Sequence, residues 1–96
     1  MNKFDHGTKI PIQTIADRFN VAISNVKRVN CKQLFIVFYE KRFILVSWLT
    51  VVGYINPNGV WVLTRYPYSI TTSRQLHSFA GQNPPITWQD EPIDII

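Results

Sequence analysis

The chain has 96 residues, 46% hydrophobic and 17% charged, which fits one globular domain with one modest core and excludes a disordered chain. Its 14% aromatic content suits packed sheet faces better than a helical bundle. The net charge is +4 and unevenly placed: residues 1–80 hold all ten Lys and Arg against Asp5, Asp17 and Glu40, while residues 81–96 hold Asp90, Glu91 and Asp94 and no base. Two readings follow, a polyanion-binding body masked by its own acidic tail, or ordinary solvated charge with a solubilising end.

Residues 1–10 are polar and read as a flexible N-terminus, residues 11–80 as a single domain, and residues 81–96 as a Pro-containing acidic tail. MNKFDHGTK lacks the apolar core of a secretory signal. Next, Ile12, Ile15, Ala16 and Phe19 fall on one helical face, and Pro11 suits a first turn, so a short helix near 11–19 is admitted. Residues 20–30 read two ways. As the second half of a helix–turn–helix, Asn20 takes the turn, Ser24 caps, and Lys27 and Arg28 face phosphate or bases. As a strand, the β-branched run simply enters a sheet. Cys31 is alone, so no internal disulfide forms, and it reads as a half-buried thiol in a reducing compartment.

From Gln33 the pattern is β. LFIVFY, a charged EKR turn and FILVSW predict a hairpin whose continuous hydrophobicity implies burial on more than one side. LTVVGYI extends the run, with Gly53 marking a bulge or a close backbone approach. NPNG is a turn, with Asn58 and Gly59 accepting positive φ, and VWVLTRY is the returning strand. This run of residues 43–55 is too short and too interrupted to cross a membrane, so the expectation is a soluble, cytoplasmic protein without a membrane partner. Thr72 and Gln75 fit a capping box for a helix over 73–80, in which Thr72 accepts from the Gln75 N–H, with Gly81 as its C-cap. Ile86 and Trp88 either dock the tail or leave it hanging.

The chemistry-bearing residues crowd into YSITTSRQLHSF. Ser73 and His77 stand one helical turn apart, but no acid sits in a catalytic signature and no G-x-S-x-G elbow exists. His6, His77 and Cys31 lack metal-ligand spacing, and no Gly-rich phosphate loop is present. The expectation is therefore a non-enzymatic protein with no metal and no cofactor. Ser69, Thr71, Thr72, Ser73 and Arg74 at a helix start could seat a phosphate, or the hydroxyls could simply satisfy the helix's own N–H groups. Lys41, Arg42 and Arg65 could join Arg74 in one basic face. Tyr39, Trp48, Tyr54, Trp61, Tyr66 and Tyr68 either stack bases or pack the sheet.

Two motifs carry a resemblance. Residues 46–53, VSWLTVVG, and residues 68–74, YSITTSR, with Leu76 and Phe79, resemble a family of small uncharacterised domains of bacteriophages and mobile elements. Its patterns are L-[FV]-S-[YW]-x-T-x-V-[AG] and Y-S-x-T-T-S-[RK]-H-[IL]-x-x-[FW]. The likeness spans residues 33–80. It departs at Gln75, where the pattern has histidine, and His77 stands two positions on, so no histidine role transfers. The resemblance implies a phage-like origin and a small α+β fold entered by a strand around residues 20–30, and it brings no assigned activity.

The expectation is thus an α+β domain: an antiparallel meander of three to four strands, a short C-terminal helix and an optional N-terminal helix. The expected function is a small basic phage-type accessory protein that binds nucleic acid. Its rivals are an inhibitor or adaptor docking on a host protein, and a structural or homo-oligomeric phage protein.

Overall fold

The computed structural model describes residues 9–29 and 33–94. The expectations for residues 1–8, His6 among them, and for Cys31 lie outside the described residues. Helix α1 spans Ile12–Phe19 and buries the predicted face through Ile15, Ala16 and Phe19. Pro11 stands just before its first residue, in extended conformation. Asn20 ends it with φ of 54°, and the Val21 N–H reaches back to the Ala16 carbonyl at 3.0 Å, the double-bonded left-handed stop that Asn tolerates.

The chain then departs from helix–turn–helix. Ile23–Asn25 make one 3-10 turn, with no cap from Ser24, and Val26–Arg28 form strand β1. Val26 pairs with Val37 and Arg28 with Phe35, so sheet pairing outweighs a second helix in this β-branched stretch. Strands β2 (Leu34–Tyr39) and β3 (Arg42–Ser47) form the expected hairpin. Its turn is shorter than EKR: Glu40 and Lys41 alone make it, both at positive φ, and Arg42 already pairs with Tyr39.

The extended run from 43 to 55 is not continuous. It breaks at Trp48 and Leu49 into β3 and β4 (Thr50–Ile55), with Trp48 held at φ of 57°. Its N–H bonds the Gln33 carbonyl at 2.9 Å, which fixes that uncommon conformation from outside the turn. The bulge near Gly53 is present: the β3–β4 register shifts between Leu45 and Val46, leaving Val52 as the extra residue. A Cβ on Gly53 would lie 2.6 Å from Leu63 Cδ2 and 2.9 Å from the Val62 carbonyl oxygen, so the position requires glycine. In the NPNG turn only Gly59 has positive φ, at 80°, while the Asn56 side chain accepts from the N–H groups of Asn58 and Val60.

Strand β5 is Trp61–Thr64, helix α2 is Ile70–Gln82 and strand β6 is Ile86–Gln89. The expected three or four strands become six among the described residues, in the order β1-β2-β3-β4-β5-β6. Five form the antiparallel meander. The sixth lies in the stretch read as a tail and pairs parallel to β5, with α2 as the crossover such pairing requires. Ile86 and Trp88 dock that segment. A helix packs on each face of the sheet, as the continuous apolar runs imply. Alternate residues Phe35, Val37, Ile44 and Val46 pack with α1, and Leu34, Leu45, Val52 and Leu63 pack with Leu76 and Phe79 of α2. Each such buried Leu or Ile contributes about 1.5–3 kcal/mol.

Candidate nucleic-acid interface

The hydroxyl-rich corner comes first. Helix α2 starts three residues earlier than its sequence signal suggests, and its N-cap is Ser69, whose Oγ accepts from the Thr72 N–H at 3.0 Å. The Ser69 hydroxyl donates to Thr72 Oγ1 at 3.1 Å, and the Ser47 hydroxyl donates to Gln75 Oε1 at 3.0 Å. Thr72 Oγ1 and Ser47 Oγ are 3.1 Å apart. A hydroxyl has one proton, and that of Ser47 is already given to Gln75, so Thr72 is the donor between them. The result is a one-way chain from Ser69 through Thr72 and Ser47 to Gln75, at a site where Ser47 is 2% and Thr72 5% exposed. Gln75 thus reaches to β3 rather than back along its own helix, which overturns the Thr72–Gln75 box. The two halves of the sequence motif meet here, and their hydroxyl protons are committed to one another.

Around this corner the remaining candidates divide. Thr71 and Arg74 face a cleft of about 320 Å³ whose other walls are Val29, Leu34, Gln75, Ser78 and Phe79. Ser73 lies on the opposite side of α2 with Arg65, His77 and Trp88. There the Arg65 guanidinium sits 5.1 Å from the centre of the Trp88 ring, and His77 packs on the same indole at 5.2 Å. No carboxylate is among the residues lining this hollow, so Ser73 and His77 have no orienting acid.

The bases also divide. The Arg28 guanidinium donates to the Ile10 carbonyl, contacts Gln33 Oε1 at 3.4 Å and covers the Phe35 ring at 4.8 Å, tying the residues before α1 to the sheet. Arg42 lies 5.8 Å from the Tyr54 ring centre. Among the described residues the side chains of Lys27, Lys41 and Arg74 have no hydrogen-bond or ion-pair partner. The strand directions set Lys41 and Arg42 at the end of the sheet away from Ser47, whereas Arg65 follows β5 out at the Ser47 end, so these four do not make a single patch.

On the α2 side, Lys27 of β1 stands beside Ile36 of β2, and the next residue of β2 on that side is Phe38. Phe38 pairs across the hairpin with Phe43, ring centres 5.0 Å apart. Helix α2 does not reach this corner: Phe38 is 40% and Phe43 46% exposed, and with Ser24, Asn25, Lys27 and Ile36 they line an open groove. Leu34, Ile36 and Phe38 follow one another along one face of β2 over about 13 Å, so this groove and the Arg74 cleft are neighbours along the same row. Neither hollow is lined by a carboxylate. Of the acidic residues, Glu40 stands exposed in the hairpin turn and shares a neighbouring hollow with Phe38, Lys41, Arg42 and Phe43, whereas Asp90, Glu91 and Asp94 follow β6, five strand spacings or roughly 24 Å from β1. Thr64 Oγ1 anchors them by donating to the Glu91 carbonyl at 2.6 Å, and Ile93 packs on the α1-side core. The described part of the tail, through residue 94, therefore does not mask the groove.

Of the aromatics singled out in the sequence, Tyr39 packs edge-on to Phe19 and Trp61 edge-on to Phe79. Trp48 and Tyr54 pack against the α1-side core. Tyr66 and Tyr68 form an exposed pair, and partial burial, with Tyr66 beside it, raises the Tyr68 phenol above its ordinary pKa. The Phe38–Phe43 pair was not among the candidates. Its signal was available: residues flanking a two-residue turn at this spacing are cross-strand partners on one face.

Among the described residues no three His, Cys, Asp or Glu side chains cluster as metal ligands, and no helix is long and apolar enough to cross a membrane. Comparison with protein families, curated proteins and solved structures returns no match for this chain.

Proposed function

We propose that this is a small, non-enzymatic, phage-type accessory protein that binds nucleic acid in the cytoplasm of its host. The observation that carries the reading is the separation of charge across the sheet. The side chains of Lys27 and Arg74 border two neighbouring hollows without carboxylates, Lys41 and Arg42 outnumber Glu40 at the hairpin end, and the acidic segment is fastened at the opposite edge. A polyanion meets attraction at one edge without repulsion from the other. Phosphate neutralisation of this kind releases counterions, so affinity falls steeply with salt.

The test is fluorescence anisotropy of a labelled oligonucleotide between 50 and 200 mM salt. Binding is expected to weaken linearly on logarithmic axes. The triple variant K27A/K41A/R74A is expected to flatten the slope by about 2, near 0.7 for each lost phosphate contact on a single strand. Salt-independent binding, or none, contradicts the reading.

A second reading has its own support. Leu49, Tyr66, Tyr68 and Ile70 are exposed at the Ser47 end of the sheet, Ile70 to 73%. Such apolar exposure supports an inhibitor or adaptor that docks on a host protein. That function would appear as a salt-tolerant, nuclease-resistant complex with one host protein, lost on Ile70→Asp.

A further inference from the structure

Resting on the nucleic-acid reading, we infer that the groove takes single-stranded nucleic acid, and that Phe38 and Phe43 are the platform on which its bases stack. The two rings are tilted by 57° and lie side by side on the part of the sheet that α2 leaves uncovered. Their exposure leaves ring surface open to a planar partner. A duplex cannot supply that partner, because its bases are already stacked on one another inside the helix. An unpaired strand can, and base–aromatic stacking tolerates any sequence because every base has a π-face.

The surroundings fit the same occupant. Lys27 stands beside the platform, opposite Ile36, and Arg74 borders the neighbouring hollow at Leu34, so two cations flank the same row of β2 along which a backbone could run. Between them the floor is apolar, through Ile36 and Leu34, and the wall of α2 offers Thr71, Gln75 and Ser78 as neutral polar contacts. This wall hinders the approach of a wide, rigid double helix to the floor and leaves a track for a flexible single chain. Shared chemistry covers both DNA and RNA, because nothing in the groove is set apart for a 2′-hydroxyl.

The bland role for a cross-strand aromatic pair is to stabilise its hairpin. The experiment separates the two. Anisotropy is measured with labelled (dT)15, (rU)15 and a hairpin duplex of equal charge, for the wild type, F38L/F43L and K27A. The leucine pair keeps apolar contact and removes the ring faces, and circular dichroism melting checks that each variant is folded. At least one single strand is expected to bind about tenfold or more tightly than the duplex, and F38L/F43L to lose about tenfold on single strands and nothing on the duplex. The F38L/F43L salt slope should stay unchanged, since no charge is removed, whereas K27A lowers it. Equal affinity for single and double strands, or a folded F38L/F43L protein that binds (dT)15 and (rU)15 as wild type does, overturns the inference while leaving salt-dependent binding intact. Absence of binding to all three probes overturns both this inference and the nucleic-acid reading on which it rests.

Discussion

The two ends of the α2 side of the sheet are built from opposite materials. At the Ser47 end, Ser47 and Thr72 are buried, and a chain of hydrogen bonds runs from Ser69 through Thr72 and Ser47 to Gln75. At the hairpin end, aromatic side chains are exposed and a lysine stands beside them without a partner. The first arrangement commits its hydroxyl protons within the molecule, so those hydroxyls hold the fold rather than meet a ligand. The second leaves apolar area and charge unresolved, which is what binding from outside requires. The hydroxyl-rich run draws the eye in the sequence, yet the plainer FYEKRF hairpin carries the exposed surface on which the proposed interface rests.

Substitutions should expose this division as large stability losses in the closed region and small ones in the open region. Gly53→Ala is expected to be the most damaging, because its methyl group meets the Val62 carbonyl as well as a movable Leu63 side chain. Overpacking against backbone costs about 3 kcal/mol, measured by urea unfolding. Ser47→Val removes the hydroxyl that links Thr72 to Gln75 and should cost about 2 kcal/mol, the usual range for a buried group deprived of its partner. A loss below 0.5 kcal/mol would show that the chain of hydroxyls contributes little. Ser69→Ala removes the helix cap and should cost about 1 kcal/mol, with the helical signal at 222 nm falling before the melt. At the open end, Lys27→Ala should change stability by less than about 0.5 kcal/mol, while weakening oligonucleotide binding severalfold at low salt. If Lys27→Ala instead destabilised the fold as Ser69→Ala does, the two ends would not differ as described.

What could be read in the sequence follows the range of the forces involved. The hairpin, the Asn20 stop, the Gly53 bulge and the NPNG turn depend on residues within a few positions of one another, and each was legible. The start of α2 was not, since Ser69 and Thr72 both offer a capping hydroxyl. The choice is made by Ser47, twenty-five residues away, which buries Thr72 and leaves Ser69 to cap. Trp48 has none of the small or amide residues that announce a positive φ, and its conformation is fixed by Gln33. Strand β6 was hidden behind prolines and acids, although Ile86 and Trp88 alternate as a strand requires. For the site, Arg74 is a candidate in the sequence as a cation at a helix start. Phe38 and Phe43 were absorbed into a run read as core, because sequence cannot say where α2 leaves the sheet uncovered. Lys27 and Arg28 looked equivalent, and only the fold turns Arg28 inward to Ile10 and leaves Lys27 without a partner among the described residues.

The most direct test of the account is a titration of isotope-labelled protein with (dT)15, following backbone amide resonances. The account predicts shifts concentrated at Asn25, Lys27, Ile36, Phe38, Phe43 and Arg74, with Ser47, Thr72 and the β6 edge unmoved. Shifts confined to Leu49, Tyr66, Tyr68 and Ile70, or no shifts at all, would contradict it.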